Sequence, residues 1–206
     1  MEEVYKQKAQ KWARVLGFIP TLEAVFLSGS LATGKATKDS DIDFFILTRP
    51  GTIWFTRFWV FFILKICGQL AKPHHHAGRI CPNHFITTDH LRLREQNAYS
   101  AEMFSQNLPL YDPQSLFVKF AEANKWVEKF GHHFPITNNK KQSTKTRRFI
   151  FEIGSLLLIS LEPFFAYPQK WWIQHSKIYQ KGGHGMVLEK YELRFHPVLK
   201  SRVPRD

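Results

Sequence analysis

Apolar residues fall along this chain in two rhythms. Val4, Ala9, Trp12, Ala13 and Leu16 recur near helical spacing and predict a helix from residue 2 to 16, closed by Gly17 and Pro20. Two short continuous apolar runs follow, residues 24–27 and 44–47, with the aromatic and β-branched content of buried strands. Residues 52–71 are apolar almost throughout and predict a helix packed on a sheet, entered through the turn Pro50-Gly51. Within it Arg57, Phe61, Lys65 and Gly68 form one narrow stripe, with Arg57 either facing a bound phosphate or simply solvent. That stretch also has the length of a membrane span, but each cation would cost roughly 2.5–3.5 kcal/mol near a bilayer centre. Membrane association therefore stands as the alternative to burial. Further on, residues 79–87 predict a strand and 91–93 a second one. Residues 97–106 and 114–130 predict helices joined by the connection Leu108-Pro109-Leu110-Tyr111-Asp112-Pro113. Residues 137–145 are polar and basic, the composition of a flexible linker. Two helices are expected after it, over 146–165 and 168–180, then a loop at 181–185. The division is a domain over 1–136, a linker over 137–145 and a helical C-terminal region over 146–206.

The most specific chemistry lies between the two apolar runs. The first ends in Gly29-Ser30, and Asp41-Ile42-Asp43 opens the second. Residues two apart in a strand face the same way, so Asp41 and Asp43 project side by side while Ile42 points to the opposite face. Adjacent carboxylates repel and are costly to shield without a partner. A divalent cation is the natural partner, and Mg²⁺ is typically held by one or two carboxylates plus substrate phosphates. A glycine after a strand lets the backbone approach a ligand closely, and a helix beginning near Leu31 would aim free N–H groups at an anion. Lys35 or Lys38, together with Ser40, stands in the loop before the Asp pair, placed to meet phosphate charge. An acidic hairpin turn is the plainer reading of Asp39-Ser40, but it leaves Asp43 inside an apolar strand unexplained.

Gly29-Ser30 followed by Asp41-Ile42-Asp43 resembles the signature of the DNA polymerase β-like nucleotidyltransferase superfamily, over roughly residues 22–47. The resemblance implies an α+β fold, a nucleotidyltransferase-like mixed β-sheet flanked by helices. It implies transfer of a nucleoside monophosphate from a nucleoside triphosphate to an acceptor hydroxyl, with release of pyrophosphate. By matching position, Gly29 and Ser30 would hold the triphosphate, and Asp41 and Asp43 would hold two Mg²⁺ ions. Such enzymes usually carry a third acidic residue on a later strand. Residues 79–87 contain no Asp or Glu, and Asn83 takes that place, leaving Glu102 or Asp89 as substitutes. The alternative to an enzyme is therefore a degenerate, antitoxin-like module that binds nucleotide without turning it over. A membrane-associated interaction protein is the third reading.

Composition narrows the partners. Lys and Arg outnumber Asp and Glu by 29 to 17, a formal charge of +12, which favours polyanions such as nucleotides, RNA or an anionic membrane. The acceptor could be a small molecule, RNA or protein. Cys67 and Cys81 are the two cysteines, in no Cys-x-x-Cys pair, and residues 1–6 carry no apolar signal region, so a cytoplasmic compartment is expected. Three consecutive histidines, His74-His75-His76, converge poorly on one ion and read as a solvated loop. The basic cluster Lys140, Lys141, Lys145, Arg147 and Arg148 suits either a nucleic-acid backbone or solvent. Trp171-Trp172 reads as core packing, with base stacking as the alternative.

Overall fold

A computed structural model describes residues 1–72, 75–135, 145–176 and 186–195. Strands β1 (Leu22–Ser28) and β2 (Ile42–Thr48) pair antiparallel, joined through the four-residue helix α2 (Gly29–Ala32). Helix α3 (Ile53–Ile66) carries the chain across to β3 (Ile80–Thr87), which lies parallel to β2. Strand β4 (Leu108–Tyr111) pairs with the free side of β1, while β6 (Glu192–Arg194) pairs with β3 and β5 (Val187–Leu188) pairs with β6. The result is a six-stranded mixed sheet in the order β4-β1-β2-β3-β6-β5, the α+β architecture expected.

Alternation along β1 and β2 sorts the core onto two faces. Val25, Leu27, Ile42, Phe44 and Ile46 pack beneath α1 (Glu2–Leu16), α3 and Ile173 of α6 (Lys145–Gln174). Phe26, Phe45 and Leu47 pack on the other side against α4 (Ala98–Ser105) and α5 (Leu116–Ala123). There Phe26 and Phe45 stack with centroids 6.0 Å apart, and Phe117 meets Phe26 edge-on at 5.1 Å, a favoured aromatic geometry. Asp43 has the parity of Phe45, which places it on the α4–α5 side.

Local chemistry sets the helix ends. Asn97 caps α4 by accepting the Ser100 N–H, and Asp112 caps α5 by accepting from Leu116 and Phe117 at 2.7 and 2.9 Å. Helix α3 is capped from outside its own segment: Glu162 of α6 accepts the Trp54 and Phe55 N–H groups at 2.7 and 3.0 Å. Burial pushes the Glu162 carboxyl up, while the two amide hydrogen bonds and Lys170 pull it down.

Several expectations are corrected. Residues 108–111 form strand β4 rather than a connection, residues 91–93 form no strand, and residues 125–130 turn as a 3₁₀ segment after α5. The C-terminal region has its helix, but α6 runs unbroken through Pro163 and Pro168 and two strands follow it. Except for Lys145, which opens α6, the expected linker lies outside the described residues, as do His74, Lys140, Lys141 and the 181–185 loop. Arg57 is not turned to solvent. It is buried, donates to Gln169 at 2.6 Å, and sits over the Phe61 ring at 4.1 Å. Among the described residues no helix is long and apolar enough to cross a membrane.

Candidate functional site

Asp41 and Asp43 stand at the N-terminal end of β2, either side of the fully buried Ile42. Asp43 is opposite Ser28 across the β1–β2 ladder, so the end of β1 brings Gly29 directly against it. Gly29 adopts φ +68°, and a Cβ built there would lie 2.0 Å from the Asp43 Oδ2. That position requires glycine twice over, for the left-handed backbone and for the space the carboxylate occupies.

The third wall comes from β3. Asp43 pairs with Cys81 and Phe44 with Pro82, but Phe45 pairs with His84. Asn83 is therefore the extra residue of a bulge, a device that re-aims side chains next to functional sites. From there the Asn83 Nδ2 donates to the Asp43 Oδ1 at 2.5 Å. The ligand atoms of Asp41, Asp43 and Cys81 all lie within 4.8 Å of one another. Burial first, then the charge of Asp41, pushes the Asp43 carboxyl up to about 8, and the Asn83 hydrogen bond offsets part of that. Burial and the two neighbouring carboxylates push the Cys81 thiol up as well, and its hydrogen bond to Asp41 adds to the shift.

This donor set fits a divalent cation. Two carboxylates crowd one small space beside the Asn83 amide and the Cys81 thiol, and a cation at their junction would relieve both the desolvation and the mutual repulsion.

The other expected site residues are placed as follows. Ser30 follows Gly29 in α2, half-buried, its carbonyl accepting from Lys35 N–H at 2.9 Å. Lys38 is exposed, and its carbonyl accepts the Tyr5 hydroxyl at 2.9 Å. Ser40 braces the loop, its hydroxyl accepting the Thr37 N–H at 2.9 Å. Lys35 extends to Glu102 of α4 at 3.1 Å. Neither proposed third acid joins the Asp pair. Glu102 is committed to Lys35, and Asp89 lies past the far end of β3, paired with His90 at 3.1 Å. Seven strand steps separate Cys81 from the level of that turn, about 20 Å. What the sequence reading missed was Cys81, whose role depends on strand register. It also missed the buried network behind β3, where His84 meets Glu192 at 3.1 Å and Arg194 meets Glu95 at 2.6 Å.

Residues 11–72 match the nucleotidyltransferase domain family, a segment running from the second half of α1 past α3 and holding Gly29, Ser30, Asp41 and Asp43. The resemblance read from those residues thus stands over the part of the chain that carries it. A solved structure similar to this chain is described as a toxin-antitoxin with AMP-PNP, at 18% identity and a TM-score of 0.36, covering 61% of this chain and 86% of that one. No curated protein matches the chain.

Proposed function

We propose that the chain is a nucleotidyltransferase moving a nucleoside monophosphate from a nucleoside triphosphate to an acceptor hydroxyl, with release of pyrophosphate. The observation that carries this reading is the convergence of the Asp41 and Asp43 carboxylates at the head of β2, against a glycine whose missing side chain makes room for the Asp43 carboxylate. Asp41 and Asp43 would hold Mg²⁺, which supplies charge neutralisation for the phosphates and the leaving pyrophosphate. The backbone at Gly29-Ser30 approaches the triphosphate where no Cβ intervenes, and Lys38 and Ser40 flank the same loop. Asn83 orients the Asp43 carboxylate by donating to Oδ1, leaving Oδ2 directed at Gly29. Positioning and charge compensation account for most of the rate in this chemistry.

A second reading rests on Asn83 itself. An amide stands where these enzymes carry a third carboxylate, so no side chain there can take the acceptor proton. Such a protein would bind nucleotide and regulate rather than turn it over. Pyrophosphate release from each ribonucleoside triphosphate with Mg²⁺, in a cell extract supplying the acceptor, separates the two. Release by the wild type and not by the Asp41→Asn/Asp43→Asn variant is the expected result. Nucleotide binding without release, lost in the same variant, would replace the first reading with the second. Neither binding nor release would sink both.

A further inference from the structure

Over residues 158–174 helix α6 is apolar on both faces. Its inner stripe, Phe165, Gln169 and Ile173, packs against α3 and the core, with Phe165 5.0 Å from Phe55 and Gln169 donating to the Trp54 carbonyl at 3.0 Å. Its outer stripe, Phe164, Tyr167, Trp171 and Trp172, follows the i, i+3, i+7, i+8 spacing of a second helical face. These four are among the most exposed large side chains of the chain, at 63–75%. Phe62 and Ile66 of α3 are also exposed, and an open groove of about 820 Å³ runs beside Phe58 and the aromatic stripe. Contiguous apolar surface on this scale marks a site of interaction. The expectation that Trp171 and Trp172 pack in the core is thereby corrected.

Charge selects the occupant. Helix α3 contains no Asp or Glu, and Glu162, the one carboxylate of residues 158–176, is turned inward onto the α3 amides. Lys65 stands exposed between Phe62 and Ile66. Among the described side chains this face of Trp, Tyr and Phe shows no exposed carboxylate, and on a chain of net charge +12 it is complementary to an anionic bilayer surface. Tryptophan and tyrosine suit that boundary, where one end of the ring is apolar and the other wet. A single-stranded nucleic acid would need cations interleaved with the stacking rings to track its backbone, whereas a bilayer needs only an aromatic face with cations such as Lys65 at its margin. Arg57 is instead buried against Gln169 and two aromatic rings, and Lys170 lies over Trp54 at 5.4 Å. A second copy would bring two strongly basic chains together, which net charge opposes.

We propose that the α3–α6 face docks the protein peripherally on anionic lipid, with Phe164, Tyr167, Trp171 and Trp172 entering the interface. The test is sedimentation with vesicles of phosphatidylcholine alone and of phosphatidylcholine mixed with phosphatidylserine, read alongside tryptophan emission. The wild type should sediment with the mixed vesicles, more weakly with the neutral ones, and its emission should shift to shorter wavelength. Trp171→Glu/Trp172→Glu should lower the partition coefficient by about tenfold or more. Trp171→Phe/Trp172→Phe should retain most of it. Both pairs are solvent-exposed changes, and circular dichroism with the melting temperature verifies the fold. Wild-type protein left in the supernatant with both vesicle types would overturn the proposal, as would equal sedimentation of the Glu variant. So would a dimer in solution that the Glu variant dissolves, or binding to an RNA oligonucleotide rather than vesicles that the Glu variant abolishes.

Discussion

Replacing Asp43 by Asn in metal-free protein should stabilise the fold near pH 8 and leave it nearly unchanged near pH 4. The substitution keeps an acceptor oxygen for the Asn83 Nδ2 and changes little in shape, so the charge is what it removes. In the folded protein, burial and Asp41 raise this carboxyl from 3.8 to about 8. The folded state thus holds the proton more tightly than the unfolded chain does. Its stabilising effect is complete below about pH 4 and is lost as pH rises through 8. Each tenfold difference in proton affinity is worth about 1.36 kcal/mol, so the ionised side chain costs the fold on the order of 5 kcal/mol at the upper end. Urea unfolding of wild type and variant with chelator, across that pH range, measures the gap directly. The gap should widen steadily with pH, and adding Mg²⁺ should stabilise the wild type while leaving the variant almost unmoved. A gap that is flat in pH, or a variant less stable than wild type near pH 8, would refute the claim that Asp43 is a buried charge awaiting a cation.

Three further outcomes follow from contacts described above. Gly29→Ala should destabilise by about 2 kcal/mol or more, because the new Cβ would fall 2.0 Å from the Asp43 Oδ2 at φ +68°, and it should abolish metal-dependent protection against urea. Glu162→Ala leaves the Trp54 and Phe55 amides without their acceptor and should lower unfolding free energy by about 1–3 kcal/mol, with faster amide exchange confined to the first turn of α3. Asn124→Ala removes a buried amide that accepts from the Leu93 N–H at 2.8 Å and donates to the Leu91 and Phe120 carbonyls; a loss of unfolding free energy under about 1 kcal/mol would contradict its role in pinning residues 91–93 to α5.

The part of the site written locally was legible. Asp-Ile-Asp at the head of the second apolar run fixes the faces of three residues by strand alternation alone, and Ile42 is buried as that alternation requires. What depended on pairing between distant strands was not. Cys81 and Asn83 reach the Asp pair through a bulge that exists only once β2 and β3 are in register. Residues 108–111 read as a connection because Pro109 argues against a strand, yet β4 lies at the edge of the sheet, where proline is tolerated. Nothing local marks Glu192 and Arg194 as interior residues, whereas His84 and Glu95 let both be buried. Trp171 and Trp172 misled in the opposite direction, since hydrophobicity alone does not distinguish a core from a docking face.

The position of β6 bears on how the chain reaches this state. Strand β3 is an interior strand, but its second neighbour is supplied by residues 192–194, roughly a hundred positions later. During synthesis from the N-terminus, β1, β2, β3 and β4 emerge first, leaving one side of β3 as a bare edge with His84 and Phe85 beside it. Such an edge is a template for pairing with another chain. Closing it requires a long loop to be ordered for the gain of a three-residue strand, so it belongs late in folding, when loop entropy has already been reduced by α6 docking on α3. A chain interrupted before residue 192 would keep its catalytic-looking turn and Asp pair yet remain adhesive. Strand β6 thus acts as the closing clasp that keeps nascent copies from joining one another edge to edge.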